Sequence, residues 1–298
     1  MASIGWAGFL LGPPLIGSLA GHPVAPPPGS ATLSIITVLR FSGEGGVDAG
    51  VHRKADAMSD IKIGEDAPIL EVMSTMRAMR RLRPDPVPEE LLTRLVEAAT
   101  WAPSASNAQC YQFVVVTDRE RMARLAELWT TIADFYLTGM AKAVPPGSTE
   151  ERHERLREAL RFQRDHFAQT PAMIVACYDF GPYVRRVRAQ ARHLATAFGQ
   201  LGPRRAVTAL RHMPRFTALG EAASMYPSVQ NILLTARALG LGATLTTWHL
   251  VLESEFKAVL GIPRSVHTFA VIPVGWPRGK FGPVARHAAA DVIHRDGW

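Results

Sequence analysis

Four arginines stand close together in "RAMRRLRP", at positions 77, 80, 81 and 83. We predict that this segment ends a helix with a candidate cap at Asp66, which must stop before Pro84 because the residue before proline avoids the helical region. On a helix, positions 77, 80 and 81 share one face. Three guanidinium groups on one face suit a phosphate. The alternative is a solvated helix end whose cations complement the helix dipole.

A second stretch, "WAPSASNAQC", carries small and polar side chains just before a run of β-branched residues. Ser104, Ser106 and Asn107 are suited to capping a turn ahead of a strand. Small residues also leave room for a ligand to approach the backbone. The residues alone are compatible with either role, capping a turn or lying against a ligand.

The remaining chain must position these two stretches. We predict six or seven helices and four strands, the strands being "YQFVVVTD", "PAMIVACYDF", "GATLTTW" and "VHTFAVIPVGWP". Ser148 and Glu151 have the spacing of a capping box. A helix over residues 221–239 is apolar on several faces, which is typical of a dimer core. This order of elements predicts an α+β or three-layer architecture.

Composition narrows the class of protein. The chain has 298 residues, 47% hydrophobic, and a formal net charge of +7 that lies in residues 58–298. Residues 1–57 are punctuated by Pro and Gly, and we expect a disordered extension, with residues 58–298 as the folded domain and Met58 as a plausible start. Cys110 and Cys177 lie in apolar contexts, which favours reduced thiols and a cytoplasmic location. No spacing suggests a metal site or a membrane-spanning helix.

Taken in order, these motifs resemble one family. The stretch "MRAMRRLRPDPVPEELLTRLVEAATWAPSASNAQCYQFVVVTD" is similar to the amino-terminal signature of the FMN-dependent nitroreductases. "GEAASMYPSVQNILLTARALGLGATLTTW" and "VIPVGWPRGKFGPVARHAAADVIHRDGW" are similar to the family's central helix and closing strand. The resemblance covers roughly residues 66–298 and matches poorly from about 118 to 217. It implies an α+β three-layer fold with a mostly antiparallel sheet, in an intertwined homodimer with FMN at the subunit interface.

The resemblance also implies which residues approach the flavin. Arg77 is expected at the phosphate and Arg80 near the ring edge, where reduced flavin gathers negative charge. The small-residue loop reaches the flavin of the partner subunit, and the segment after the central helix approaches flavin N5. Lys280 is a weaker phosphate candidate than Arg286. The implied cofactor-binding residues are Arg77, Ala78, Met79, Arg80, Pro103, Ser104, Ala105, Ser106, Asn107, Thr246, Thr247, Trp248 and Arg286.

The implied activity is hydride transfer from NADH or NADPH through flavin N5 to a small acceptor such as a nitroaromatic or a quinone. The flavin carries the reaction, so no catalytic residue is certain. His249 is a weak candidate for a proton donor. Phe135, Tyr136 and Phe162 are candidates to line the pocket. The alternative function is an FMN-binding storage or sensor protein with little turnover. We expect neither a nucleic-acid partner for the basic run "YVRRVRAQARH" nor a membrane partner.

Overall fold

The structure is a computed structural model, and it describes residues 61–298. The predicted extension, residues 1–57, and the predicted start at Met58 lie outside the described residues. Eight α-helices and four strands make up the described part of the chain. The helices are α1 (Ile69–Thr75), α2 (Glu89–Thr100), α3 (Arg119–Thr138), α4 (Glu150–His166), α5 (Gly181–Ala189), α6 (Ala191–Gln200), α7 (Gly202–Ala238) and α8 (Glu253–Leu260). The strands are β1 (Tyr111–Val116), β2 (Ala172–Tyr178), β3 (Gly242–Ala243) and β4 (His267–Gly275).

The four strands form one sheet in the order β1-β2-β4-β3, and every pair in it is antiparallel. Strand β2 is buried along its whole length. Its alternate residues therefore point to opposite faces of the sheet. Ile174 and Ala176 pack with residues of α2 and α7, whereas Met173 and Val175 pack with residues of α3 and α8. Helices thus cover both faces, which confirms the predicted α+β three-layer fold with an antiparallel sheet.

Besides the end of α1, three element boundaries differ from those predicted. The helix-capping side chain of α4 is Thr149, which accepts a hydrogen bond from the Arg152 N–H, and not Ser148. The strand predicted over "GATLTTW" is only two residues long, although Thr246 also pairs with Val271 in an isolated bridge. The helix predicted to begin at Glu221 is the second half of α7, which has 37 residues.

Tyr183 of α5 packs against the core, whereas α6 and the first half of α7 stand away from it. Large apolar side chains are exposed along them; Val207, Leu210 and Phe216 are 60%, 58% and 72% exposed. We call residues 181–220 the helical arm. The second half of α7 differs, because Met225, Val229 and Ile232 are fully buried in the core. Among the described helices, none is both long enough and apolar enough to cross a membrane.

Candidate functional site

The arginines of "RAMRRLRP" do not lie on a helix, and that prediction is wrong. Helix α1 ends at Thr75, and Met76 is already extended, with ψ of 120°. Backbone pairing explains the early end. The Met79 N–H donates to the carbonyl of Ala243 at 3.0 Å, and the Arg83 N–H donates to the carbonyl of Trp276 at 2.8 Å. These hydrogen bonds to the sheet edge replace those that a longer helix would make.

Close packing at this edge requires a glycine. A Cβ atom on Gly242 would lie 2.9 Å from Leu82 Cδ2 and 3.0 Å from the Cβ of Met79, closer than real contacts allow. Without a side chain at 242, the extended segment 76–83 lies directly against β3. Arg80 is thereby held beside the residues that follow β3.

The first of two adjacent cavities, with a volume of about 190 Å³, opens between this segment and helices α3 and α4. We call it the aromatic cavity, because three aromatic rings form its wall. The ring of Trp248 lies 5.3 Å from that of Trp129 and 4.4 Å from that of Tyr136, centroid to centroid. Stacked rings present a flat apolar surface. The lining residues are Arg80, Trp129, Tyr136, Leu156, Leu160, Gln163, Thr244, Leu245, Thr246, Thr247 and Trp248.

Three hydrogen-bond donors of the aromatic cavity lack a partner within residues 61–298. They are the guanidinium of Arg80, the indole N–H of Trp129 and the hydroxyl of Thr244. Burial lowers the pKa of Arg80, since the desolvated cation has no carboxylate beside it in this part of the chain. Of the three, only the partly exposed guanidinium of Arg80 is accessible from the cavity, because the Trp129 and Thr244 atoms are fully enclosed. A cation at this position indicates a site for an electron-rich or anionic ligand.

The second cavity has a volume of about 440 Å³ and shares Arg80 and Leu156 with the first. We call it the arginine cavity. It is lined by Arg77, Ala78, Met79, Arg80, Arg81, Arg152, Arg155, Leu156, Ala159 and Gly279. Two of its five guanidinium groups have carboxylate partners: Arg81 lies 3.7 Å from Glu158, and Arg155 pairs with Glu151. A cavity so lined is suited to a phosphate.

The structure brings two of the predicted groups together at these cavities. Arg77, Ala78, Met79 and Arg80 line the arginine cavity, and Thr246, Thr247 and Trp248 line the aromatic cavity. Of the candidate aromatic residues, Tyr136 lies in the aromatic cavity. Phe162 lies at a small neighbouring cavity, and Phe135 is exposed.

The loop of Pro103–Asn107 lines neither cavity and is largely exposed. It is nevertheless held in one conformation. The Ala105 N–H donates to Ser224 Oγ on α7, and the Gln109 N–H donates to Ser104 Oγ, both at 3.1 Å. Ser106, Asn107 and Gln109 all have φ near +50°, a conformation that costs energy for residues with side chains. Strain of this kind is typical of functional loops.

The predicted carboxyl-terminal residues also lie outside both cavities. Arg286 is exposed and donates to the carbonyl of its neighbour Ala285 at 2.8 Å. The Lys280 carbonyl accepts a 2.6 Å hydrogen bond from the Arg77 guanidinium. That contact ties the segment after β4 to the arginine cavity.

His249 follows Trp248 but is fully buried against Phe256. Burial lowers its pKa to about 4. Neither ring nitrogen has a hydrogen-bond partner among residues 61–298, and His249 does not line the aromatic cavity. Nothing in this geometry gives it a route for a proton to that cavity. Among residues 61–298, no three His, Cys, Asp or Glu side chains lie together in a way that could hold a metal ion.

Sequence reasoning missed the residues that α3 and α4 supply, namely Trp129, Leu156, Leu160, Gln163, Arg152 and Arg155. One signal was present: Arg152 and Arg155 have the i, i+3 spacing that puts two side chains on the same side of a helix. Thr244 gives no such signal, because an unpaired hydroxyl is recognisable only when its neighbours are known.

Comparisons with known proteins show the family and the fold. Residues 74–276 match the model of the Nitroreductase family. A Thermus thermophilus protein named NADH dehydrogenase is 29% identical over 227 residues, covering 73% of this chain and 90% of the relative. A Rhodospirillum rubrum protein named 5,6-dimethylbenzimidazole synthase is 27% identical over 204 residues, covering 68% and 78%. Oxidized iodotyrosine deiodinase bound to FMN and 3-iodo-L-tyrosine has the same fold, with a TM-score of 0.53 at 16% identity, covering 78% of this chain and all of that one.

Proposed function

The chain belongs to the nitroreductase family, and from that premise we propose that it is an FMN-dependent oxidoreductase. It takes electrons from NADH or NADPH and passes them to a small organic acceptor such as a nitroaromatic compound or a quinone. A relative named NADH dehydrogenase and a similarly folded protein bound to FMN support the proposed donor and cofactor. One relative is named as a synthase, so similar chains carry different reactions. We therefore propose only the class of the acceptor.

One observation carries the proposal: the partly buried side chain of Arg80 lines both cavities and has no carboxylate partner among the described residues. A desolvated cation without a counter-charge is costly in a folded protein. It is stabilised when a bound group brings negative charge to it. A flavin mononucleotide combines such charge with a flat ring, and the adjoining cavities offer an aromatic wall and an arginine cluster.

The residues of this chain then have distinct tasks. Arg77 holds the phosphate at the arginine cavity. Arg80 stabilises negative charge at the ring. Trp248 and Tyr136 exclude water from that wall. When bound, FMN supplies the two-electron redox chemistry that no side chain here provides.

We further propose that the working unit is a homodimer. The loop of Pro103–Asn107 is exposed and strained, as suits a segment that completes the site of a second subunit. The exposed apolar residues of the helical arm supply a surface for the partner to cover. A contiguous arm of this kind on a lone subunit would favour aggregation.

The proposed function is tested by the visible spectrum of the purified protein. We expect a yellow protein whose flavin absorption bleaches on anaerobic addition of NADH or NADPH and returns on addition of a quinone. A yellow protein that bleaches negligibly with either nucleotide would instead support the storage or sensor alternative. A colourless protein that takes up no added FMN contradicts both.

A further inference from the structure

The arginine cavity carries more positive charge than one phosphate neutralises. Five guanidinium groups line it, and the described carboxylates Glu151 and Glu158 pair with two of them. Three positive charges therefore remain. A phosphate monoester carries about −1.5 to −2 at neutral pH. A bound FMN phosphate would leave the cavity cationic, with room for a second anionic group.

The three unpaired charges lie on two elements, with Arg152 on α4. Arg77 and Arg80 belong to the extended segment, on the side where the family resemblance puts the flavin. Arg152 and Arg155 lie opposite on α4, where both side chains are exposed. The Arg152 side chain has no ion pair within residues 61–298, and the Arg152 backbone N–H donates a hydrogen bond to the Thr149 hydroxyl. Its guanidinium is thus available at the mouth of the cavity.

We propose that Arg152 and Arg155 bind the 2′-phosphate of NADPH and that the enzyme consequently prefers NADPH over NADH. The two dinucleotides differ only in this phosphate, so a cationic pair that engages it selects between them. A guanidinium binds a phosphate through two parallel hydrogen bonds and is always charged. Arg152 is the stronger contributor, because Glu151 partly offsets the charge of Arg155. This inference rests on the proposed function.

A location at the mouth suits this part of the ligand. The nicotinamide must reach the flavin, and the adenosine end of an extended dinucleotide then lies toward solvent. The exposed arginines of α4 can contact the 2′-phosphate while Arg77 and Arg80 on the extended segment serve the flavin. The same residues would do nothing for NADH, which offers them only a neutral hydroxyl.

The experiment compares wild type with Arg152→Gln and with the Arg152→Gln/Arg155→Gln double variant. Arg161→Gln is the matched control, since Arg161 lies on the same helix, pairs with Glu154 and lines neither cavity. Two measurements are made on FMN-loaded protein. Calorimetry gives the affinity for adenosine 2′,5′-bisphosphate and for AMP, and steady-state kinetics give kcat/KM for NADPH and NADH.

We expect wild type to bind the bisphosphate more tightly than AMP and to prefer NADPH. Arg152→Gln should lower kcat/KM for NADPH and bisphosphate affinity by about ten- to a hundredfold, the size of a lost charge-assisted contact. NADH kinetics, FMN content and the Arg161→Gln control should change less than about threefold. Equal binding of bisphosphate and AMP by wild type overturns the inference. So does a variant that loses FMN while keeping its nucleotide preference. If neither nucleotide is oxidised by wild type, the proposed function fails, and the calorimetry still decides whether the 2′-phosphate is recognised.

Discussion

Replacing Arg80 by methionine should move stability and FMN affinity in opposite directions. The Arg80 side chain is partly buried, desolvation lowers its pKa, and no carboxylate among the described residues compensates its charge. In the protein without flavin, removing that charge relieves a desolvation cost while the methionine keeps most of the apolar stem. With flavin bound, the same change removes a charge-assisted contact.

The expected sizes follow from these two effects. A charge-assisted hydrogen bond contributes about 1.5–3 kcal/mol, so the Kd for FMN should rise roughly 10- to 150-fold. A relief of about 1 kcal/mol in the flavin-free protein would raise its Tm by about 2–4 °C for a domain of this size. Quenching of flavin fluorescence gives the Kd, and thermal unfolding of flavin-free protein gives the Tm.

Arg164→Met is the matched control. Arg164 is a residue of α4, and it lines neither cavity. Its guanidinium pairs with Asp134 at 2.7 Å and with Asp165 at 2.8 Å. The Arg164→Met variant should lose up to about 1 kcal/mol of folding stability and should bind FMN as tightly as wild type. The reasoning is refuted if Arg80→Met lowers the Tm of flavin-free protein as the control does, or if its Kd for FMN equals that of wild type.

Three further predictions can be checked with simple variants. Arg77→Ala should weaken FMN retention on a desalting column yet leave the bleaching rate at saturating FMN nearly intact; a slowed rate would contradict its phosphate role. His249 has a pKa of about 4 in the folded protein and 6.5 in the unfolded chain, so between these values only the unfolded chain binds the proton. Acidification from about pH 6.5 to 4 should therefore lower the free energy of unfolding by up to about 3 kcal/mol. His249→Phe should flatten that part of the urea-unfolding profile, and a profile that stays as steep as in wild type would contradict the assignment to His249. Sedimentation should give about twice 32.5 kDa, and Phe216→Asp should yield monomers; a wild-type monomer that retains FMN would count against the dimer.

The sequence predicts the sheet and most helices because their patterns are local. Strand β2 is a continuous apolar run, as strands buried on both faces are, and α2 repeats leucines at helical spacing. Helix α1 shows where such patterns mislead. Met76 and Met79 continue its helical spacing, yet the Met79 N–H pairs with Ala243, which is 164 residues further along the chain. Helical propensity is only a weak preference, and in this segment the backbone hydrogen bonds to distant residues outweigh it.

Helix α7 was misjudged for a different reason. Pro214 and Pro227 lie inside it, and proline normally ends or kinks a helix. The predicted start at Glu221 coincides with the point where the side chains become buried, since Glu221 is 5% exposed and its carboxylate accepts a 2.7 Å hydrogen bond from His267. Periodicity therefore detected the buried half of the helix and not the exposed arm.

Net charge was a poor guide to the anion site. Residues 180–220 contain eight arginines and neither aspartate nor glutamate, so the helical arm alone exceeds the chain's net charge of +7. The charge that matters for the cavities is local: three of the arginine cavity's five guanidinium groups have no carboxylate partner among residues 61–298. Two separate basic regions thus exist, and they differ in what surrounds them. The arm's arginines stand among exposed apolar side chains, which suits a protein surface. Arg80 is partly buried beside an aromatic wall, which suits a flat anionic ligand. Neutralising arm arginines should therefore leave FMN affinity unchanged, while a single change at Arg80 should not.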